Sequence, residues 1–300
     1  MVKIISKSSP ESTEIRRFGI LAFIFWAAFS AYYPFSVVFL SNRGFDNISI
    51  GAIMSMNSFI VVIAQPTWGI ICDYIGSTKK VFLLNLTVAA LLLASLPFHS
   101  SKASIVVTLG VLTFFESPLP PLLDSWLIRG VKEIGHSTFG NVRLWGSIGF
   151  ACMAYVNGKL IDLSGISVIF ISFGIFAVFT LLACINIRSN NISSDSIKKS
   201  SAPKSLNIGK LLKNRNYILF LVLATLLTIP HRSAYIFLPK LFDSMGAARE
   251  YLGMSSSILA LSEIPIFIFS SFLIRKLQPI YLVLISTIFF IIRQFLFMVV

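Results

Sequence analysis

The sequence predicts an all-α, polytopic membrane protein. Three observations carry that expectation. Of the 300 residues 56% are hydrophobic, only 12% are charged, and the apolar residues gather in runs long enough to cross a bilayer. An ordinary soluble domain carries roughly 25% charged residues. A hydrocarbon core of about 30 Å is spanned by about 20 helical residues at about 1.5 Å each. Strands are excluded, because open sheet edges cannot face lipid and these runs are too long and too continuously apolar for barrel strands.

Apolar runs fall at about 18–40, 48–72, 81–98, 104–128, 141–162, 165–187, 216–240, 251–274 and 279–300, which predicts about nine helices. The first follows a basic N-terminal stretch. It exceeds the apolar core of a signal peptide, about 7 to 15 residues, and offers no small-x-small cleavage site, so it is expected to be retained. Orientation follows from the connectors. A cytoplasmic N-terminus assigns Lys3, Lys7, Arg16, Arg17, Lys79, Lys80, Arg129, Lys132, the basic residues of 188–215, Arg275 and Lys276 to the inside. The outside then receives only Arg43, Lys102, Lys159, Lys240 and Arg249.

Residues 188–215 are rich in Ser, Asn and Lys and read as a flexible cytoplasmic linker. They divide a six-helix bundle, 1–187, from a partial bundle of three helices, 216–300. A long linker after the sixth helix is what a transporter of two six-helix halves would show. On that reading the chain is C-terminally truncated, since Val300 ends an apolar run with no polar tail.

The net charge of +13 does not indicate nucleic acid, because most basic residues lie in short connectors rather than on one face. Cys72, Cys152 and Cys184 lie in or beside apolar segments without paired spacing and read as small hydrophobes. No cofactor and no metal site is expected. His99 and His136 lie in loops, and no nucleophile or metal motif assembles, so an enzyme is not expected.

The stretch from Pro118 to Gly149 places Asp124 and Arg143 at the facing ends of two apolar segments, at similar depth. Ionisable residues in lipid are costly unless paired or lining a cavity, so they mark a functional site. The alternative is that each snorkels to the interface separately. Glu116 lies about 12 Å from Asp124 along the axis, and Pro118, Pro120 and Pro121 between them break the helix. It is a further substrate-binding candidate, either as a proton carrier or as a protonated hydrogen-bond donor.

Helix two ends in QPTWGIICDYIGSTKK at 65–80. There Gly69 admits a close helix neighbour, Asp73 accepts from amides or a cation, and Gly76 permits a tight turn. His231, Arg232, Glu263 and Arg293 fall in the middle to outer half of the bilayer, where mutual pairing is expected. They form a second candidate cluster, read as proton-coupling residues, with His231 and Arg232 simply neutralising Glu263 as the other reading.

These motifs resemble the major facilitator superfamily, and within it the proton-coupled lactose permease and phenylpropionate permease branch. The stretches that carry the resemblance are AYYPFSVVFL at 31–40, helix two's motif, SPLPPLLDSW at 117–126 with FGNVRLWGSIGFA at 139–151, and LSEIPIFIFSSFLIRKL at 261–277 with FIIRQF at 290–295. The resemblance implies the major facilitator fold and gives Asp124 and Arg143 a sugar-binding role. Phe150 matches the aromatic on which the lactose permease stacks its sugar ring, where that relative has Trp; a plain core contact is the other reading. The resemblance also gives Glu263 and Arg293 roles in proton coupling and matches His231 to a histidine of unassigned role. Three departures accompany it. Tyr74 follows Asp73 where a basic residue is usual, the turn at 275–279 lacks the Gly and Asp, and the helix-ten histidine partner has no counterpart.

The expectation is therefore a secondary active transporter of a small solute, a sugar, nucleoside or aromatic acid, coupled to protons. It would sit multi-pass in the cell (inner) membrane. The alternative is a truncated or non-transporting sensor or accessory protein retaining the fold.

Overall fold

A computed structural model describes residues 10–132, 138–185, 187, 213–276 and 278–299. All regular structure among them is helical. The helices are α1 (Pro10–Tyr32), α2 (Ser36–Asn42), α3 (Asn47–Ile75), α4 (Thr78–Ser95), α5 (Lys102–Glu116), α6 (Leu119–Lys132), α7 (Thr138–Ser164), α8 (Val168–Ile185), α9 (Arg215–Ser244), α10 (Arg249–Lys276) and α11 (Pro279–Val299). Short 3-10 turns occupy Tyr33–Phe35 and Leu96–Phe98.

Each of the nine predicted runs coincides with helix. Seven stretches are both long and apolar enough to cross a membrane: Thr13–Asn42, Asn47–Ile75, Thr78–Phe98, Lys102–Val131, Val168–Ile185, Tyr217–Ser244 and Arg249–Phe269. Helix α7 is long enough but carries Asn141, Arg143, Asn157 and Lys159, and the apolar part of α11 is the shorter Tyr281–Arg293. The predicted linker, apart from Lys213, Asn214 and its end residue Arg215, lies outside the described residues, as do Arg188 and His136.

Two of the nine runs are interrupted, and proline explains both breaks. Proline has no N–H to give to the carbonyl four residues earlier. Pro34 interrupts the first run at the Tyr33–Phe35 turn between α1 and α2. Pro118 and Pro121 likewise free the carbonyls of Phe114 and Ser117 between α5 and α6. In lipid those carbonyls need partners, and α3 supplies them. Trp68 Nε1 donates to Phe114 O at 3.0 Å, and Gln65 Nε2 donates to Ser117 O at 3.3 Å. Trp68→Phe is expected to leave one buried carbonyl unsatisfied and to cost about 1–3 kcal/mol. A thermal melt of the purified protein in detergent reads this as a lower Tm.

Close helix approach depends on residues without side chains. Helix α1 crosses the middle of the bundle against α7 and α8. A Cβ on Gly149 of α7 would stand 2.2 Å from Phe23 O of α1. At the loop after α3, Gly76 takes the left-handed conformation (φ 68°) and its N–H returns to Cys72 O, while Ser77 caps α4 by accepting from Lys80 N. Lys79 Nζ donates to Ile187 O at 2.7 Å and Ile185 O at 3.4 Å. A cation thus caps the C-terminal carbonyls of α8, where the helix dipole favours it.

Helix α10 joins the N-terminal bundle chiefly through α7. Ser257 Oγ donates to Ala151 O at 2.6 Å. Farther along, Asp162 at the end of α7 accepts from the N–H groups of Arg249 (2.9 Å) and Glu250 (2.8 Å), capping the first turn of α10 from another helix. Lys159 pairs with Glu250 at 3.3 Å, Tyr155 OH donates to the same carboxylate, and Arg249 pairs with Asp243.

Candidate functional site

The break after Glu116 separates α6 from α5, and α6 packs against α7. That packing brings Asp124 Oδ1 within 3.5 Å of Arg143 Nε. The two are paired, not separately extended to an interface. The Arg143 guanidinium lies 4.3 Å from the centroid of Trp26 on α1 and 5.3 Å from that of Phe267 on α10, favourable placements for a cation on aromatic faces. A Cβ on Gly146 would stand 2.5 Å from Trp26 and 3.0 Å from Arg143 Nη1, so this position is kept bare for the stack.

One turn along α7 from Arg143, Ser147 Oγ donates to Glu263 Oε2 at 2.9 Å. Glu263 and Phe267 are themselves one turn apart on α10. Asp124, Arg143 and Glu263 are therefore joined through two neighbouring contacts of the α7–α10 interface. Arg143 contacts aromatic rings of both the N-terminal bundle and α10.

A cavity of about 620 Å³ adjoins this cluster. It is lined by α1, the Tyr33–Phe35 turn, α2, α3, α5, the proline break, α7 and α9. One wall is aromatic: Phe29, Tyr33 and Tyr235 form a continuous stack with centroids 5.0 and 5.6 Å apart. Trp26 and Phe150, 6.4 Å apart, extend it. Asn57, Ser58, Gln65, Thr113 and Glu116 line it from α3 and α5, and Arg232 from α9. Glu116 Oε1 is buried with no hydrogen-bond partner among the described residues. Arg232 Nη1 donates to Tyr33 OH at 3.0 Å.

Glu116, Phe150 and Arg232 thus line the cavity, whereas Asp124 and Arg143 stand behind Trp26 and are not among its lining residues. The second predicted cluster is spread out. Glu263 bonds to Ser147 and Arg232 to Tyr33, on different faces of the interface. Arg293 is half-buried on α11 with its guanidinium 5.3 Å from the Phe290 ring, and the side chain of His231 lies outside the described residues. Gly76 makes its turn, while Asp73 is exposed. Outside its own stretch of helix, no described atom lies within 4 Å of where a Cβ of Gly69 would stand, so Gly69 admits no close helix neighbour among the described residues.

Sequence reasoning missed Trp26, Asn57, Gln65, Tyr33, Tyr235 and Ser147. A signal existed for α3: Met54, Asn57, Ser58, Val61 and Gln65 recur at helical spacing and share one face, with polar residues inside an apolar span. No such signal marked Trp26 or Tyr235, because aromatic residues are common throughout the chain.

A helical bundle of this hydropathy, with charges held between helices beside a cavity lined by several of them, has the architecture of a multi-pass integral membrane protein of the transporter type. The chain belongs to the MFS_1 like family, whose model matches residues 15–300. It is 30% identical over 249 residues to the maltose permease of Geobacillus stearothermophilus, covering 83% of this chain and 62% of that one. It is 24% identical over 283 residues to a probable 3-phenylpropionic acid transporter of Escherichia coli strain K12, covering 90% and 70%. Its fold is similar to the crystal structure of the nucleoside transporter NupG, with a TM-score of 0.67 at 20% identity over 87% of this chain and 68% of that one. The chain therefore spans less than two thirds of the maltose permease's length.

Proposed function

We propose that this chain carries a small, ring-bearing polar solute across the cell (inner) membrane by proton-coupled alternating access, with the N-terminus in the cytoplasm. The observation that supports this reading is the cavity shared between the N-terminal helices and α9, with an aromatic wall facing amides, hydroxyls and two charged groups. Ring faces pack on aromatic side chains, while hydroxyls and other polar edges bond the opposite wall. The names of the relatives point the same way, toward sugars, nucleosides and aromatic acids.

In this reading residues 1–187 and 216–300 move as separate halves about the 188–215 linker. The contact of Asp162 with the first turn of α10 closes the outer end. Asp124 and Arg143 hold Trp26, and through it the cavity wall, in place; Glu263, next to them on the opposing half, joins their arrangement to the solute-loaded state. Arg293 and His231 are assigned to the proton pathway on the second half, and Gly69, Asp73 and Gly76 to the inner turn.

Reconstitution of the chain into proteoliposomes tests the proposal. Under an acid-outside gradient, uptake of at least one of maltose, uridine or 3-phenylpropanoate is expected to exceed that of protein-free vesicles about tenfold and to collapse with a protonophore. Folded protein giving no gradient-dependent flux of any solute in a wider panel would overturn it.

A further inference from the structure

The two charged residues lining the cavity come from opposite halves and have no ion-pair partner among the described residues. Arg232, on α9, is exposed and makes one hydrogen bond among the described residues, to the Tyr33 hydroxyl, although a guanidinium carries five N–H donors. Glu116, on α5, has a buried oxygen, Oε1, with no hydrogen-bond partner among the described residues. Counting residues from the helix ends, Arg232 is about 18 Å from the end of α9 and Glu116 about 21 Å from the start of α5. In the proposed orientation both distances run from the outer face, so the two groups face the cavity at comparable depth. The other titratable groups lining it are Tyr32 and Tyr33 from α1 and its turn and Tyr235 from α9.

We infer that the cavity takes a monocarboxylate with a flat ring, held by its carboxylate on Arg232 and its ring on the Phe29–Tyr33–Tyr235 stack, together with one proton on Glu116. The inference rests on the cavity being the solute site proposed above. The planar guanidinium fork matches a carboxylate with two parallel bonds. A hydroxyl would leave the charge of Arg232 uncompensated within the membrane, which is costly.

Charge balance makes the two ligands interdependent. In the empty cavity an ionised Glu116 and Arg232 sum to zero. With the anion on Arg232 and a proton taken from solvent by Glu116, the sum is again zero. Anion alone leaves one negative charge, and proton alone leaves one positive charge. Each half-loaded state carries an uncompensated charge at membrane depth, which is costly. Only the empty and fully loaded states are neutral, so only these reorient readily, and anion and proton move together.

Calorimetry on the whole chain in nanodiscs, with benzoate, 3-phenylpropanoate and 3-phenylpropanoate methyl ester as probes, tests this. Titrations in buffers of different ionisation enthalpy count the protons taken up. At least one acid is expected to bind, about tenfold or more tighter than the ester, with uptake approaching one proton. Arg232→Gln is expected to weaken the acid about tenfold or more and leave the ester unchanged, with Arg232→Lys restoring part of the difference. Glu116→Gln is expected to keep acid binding but lose the proton uptake.

Equal binding of acid and ester, binding of none of the acids, or undiminished proton uptake in Glu116→Gln would each overturn the inference. Acid binding with proton uptake but no vesicle flux supports the ligand assignment and removes the transport reading. Flux of maltose that Arg232→Gln leaves intact does the reverse.

Discussion

Gly253→Val is expected to force α7 and α10 apart and to leave the cavity open to the outside. The two helices touch through their backbones. A Cβ on Gly253 would stand 2.4 Å from Ala154 O and 3.1 Å from Gly158 Cα, and one on Gly158 would stand 2.9 Å from Arg249 O. Neither side offers a flexible side chain that can yield, so a helix must shift. Overpacking of this kind costs about 1–3 kcal/mol. The shift also pulls the N–H groups of Arg249 and Glu250 away from Asp162.

In the proposed orientation this seam lies at the outer face, so opening it exposes residues such as Ser36, which lines the cavity. The measurement is labelling of Ser36→Cys by an impermeant maleimide, with the native cysteines replaced. The expected rate is about tenfold higher in the Gly253→Val background. Asp162→Asn keeps one acceptor oxygen and is expected to raise the rate less. An unchanged rate in folded Gly253→Val protein would show that the α7–α10 seam does not close the cavity.

Arg143→Ala has the second large expected effect, because one side chain serves three partners on three helices. Its loss leaves Asp124 without its counter-charge and Trp26 and Phe267 without the cation between them. Removing one member of a fully buried pair costs about 3–5 kcal/mol. The side chain of Asp124 is 36% exposed, so a smaller loss, about 1–3 kcal/mol, is expected here. Arg143→Lys keeps the charge but not the planar stacking surface, and is expected to restore stability more than uptake.

Asp124→Asn with Arg143→Ala removes the stranded carboxylate and is expected to recover much of the lost Tm. Uptake is expected to stay at the level of empty vesicles in Arg143→Ala and in the double variant alike. A folded Arg143→Ala protein with undiminished uptake would remove Arg143 from the transport mechanism and leave it a purely structural partner of Asp124.

The all-helical, membrane-spanning class was legible because lipid imposes one requirement on every span: enough consecutive apolar residues, with the backbone bonded internally. That requirement is local and written in composition. The Asp124–Arg143 pairing was legible for a related reason, since two charges at similar depth in lipid seek each other. The proline break was legible as well, but its consequence was not. That Trp68 and Gln65 of α3 would take up the freed carbonyls depends on α3 lying beside α5, which no local pattern states.

The second charged cluster shows the same limit. His231, Arg232, Glu263 and Arg293 share a depth range, and depth alone suggested mutual pairing. Direction around the helix axis decided otherwise: Glu263 turns to Ser147 on α7, and Arg232 turns to Tyr33 across the cavity. The sequence by itself determined that this chain is a multi-helix membrane protein with charges at similar depth at Asp124 and Arg143, because hydropathy and charge cost act residue by residue. Only the tertiary structure decided that Trp26 separates that pair from the cavity, and that Glu116 and Arg232 face the cavity instead. Those outcomes depend on how helices distant in sequence rotate and pack against one another, and helix rotation is set by contacts such as Gly149 on Phe23 and Gly253 on Ala154, not by hydropathy.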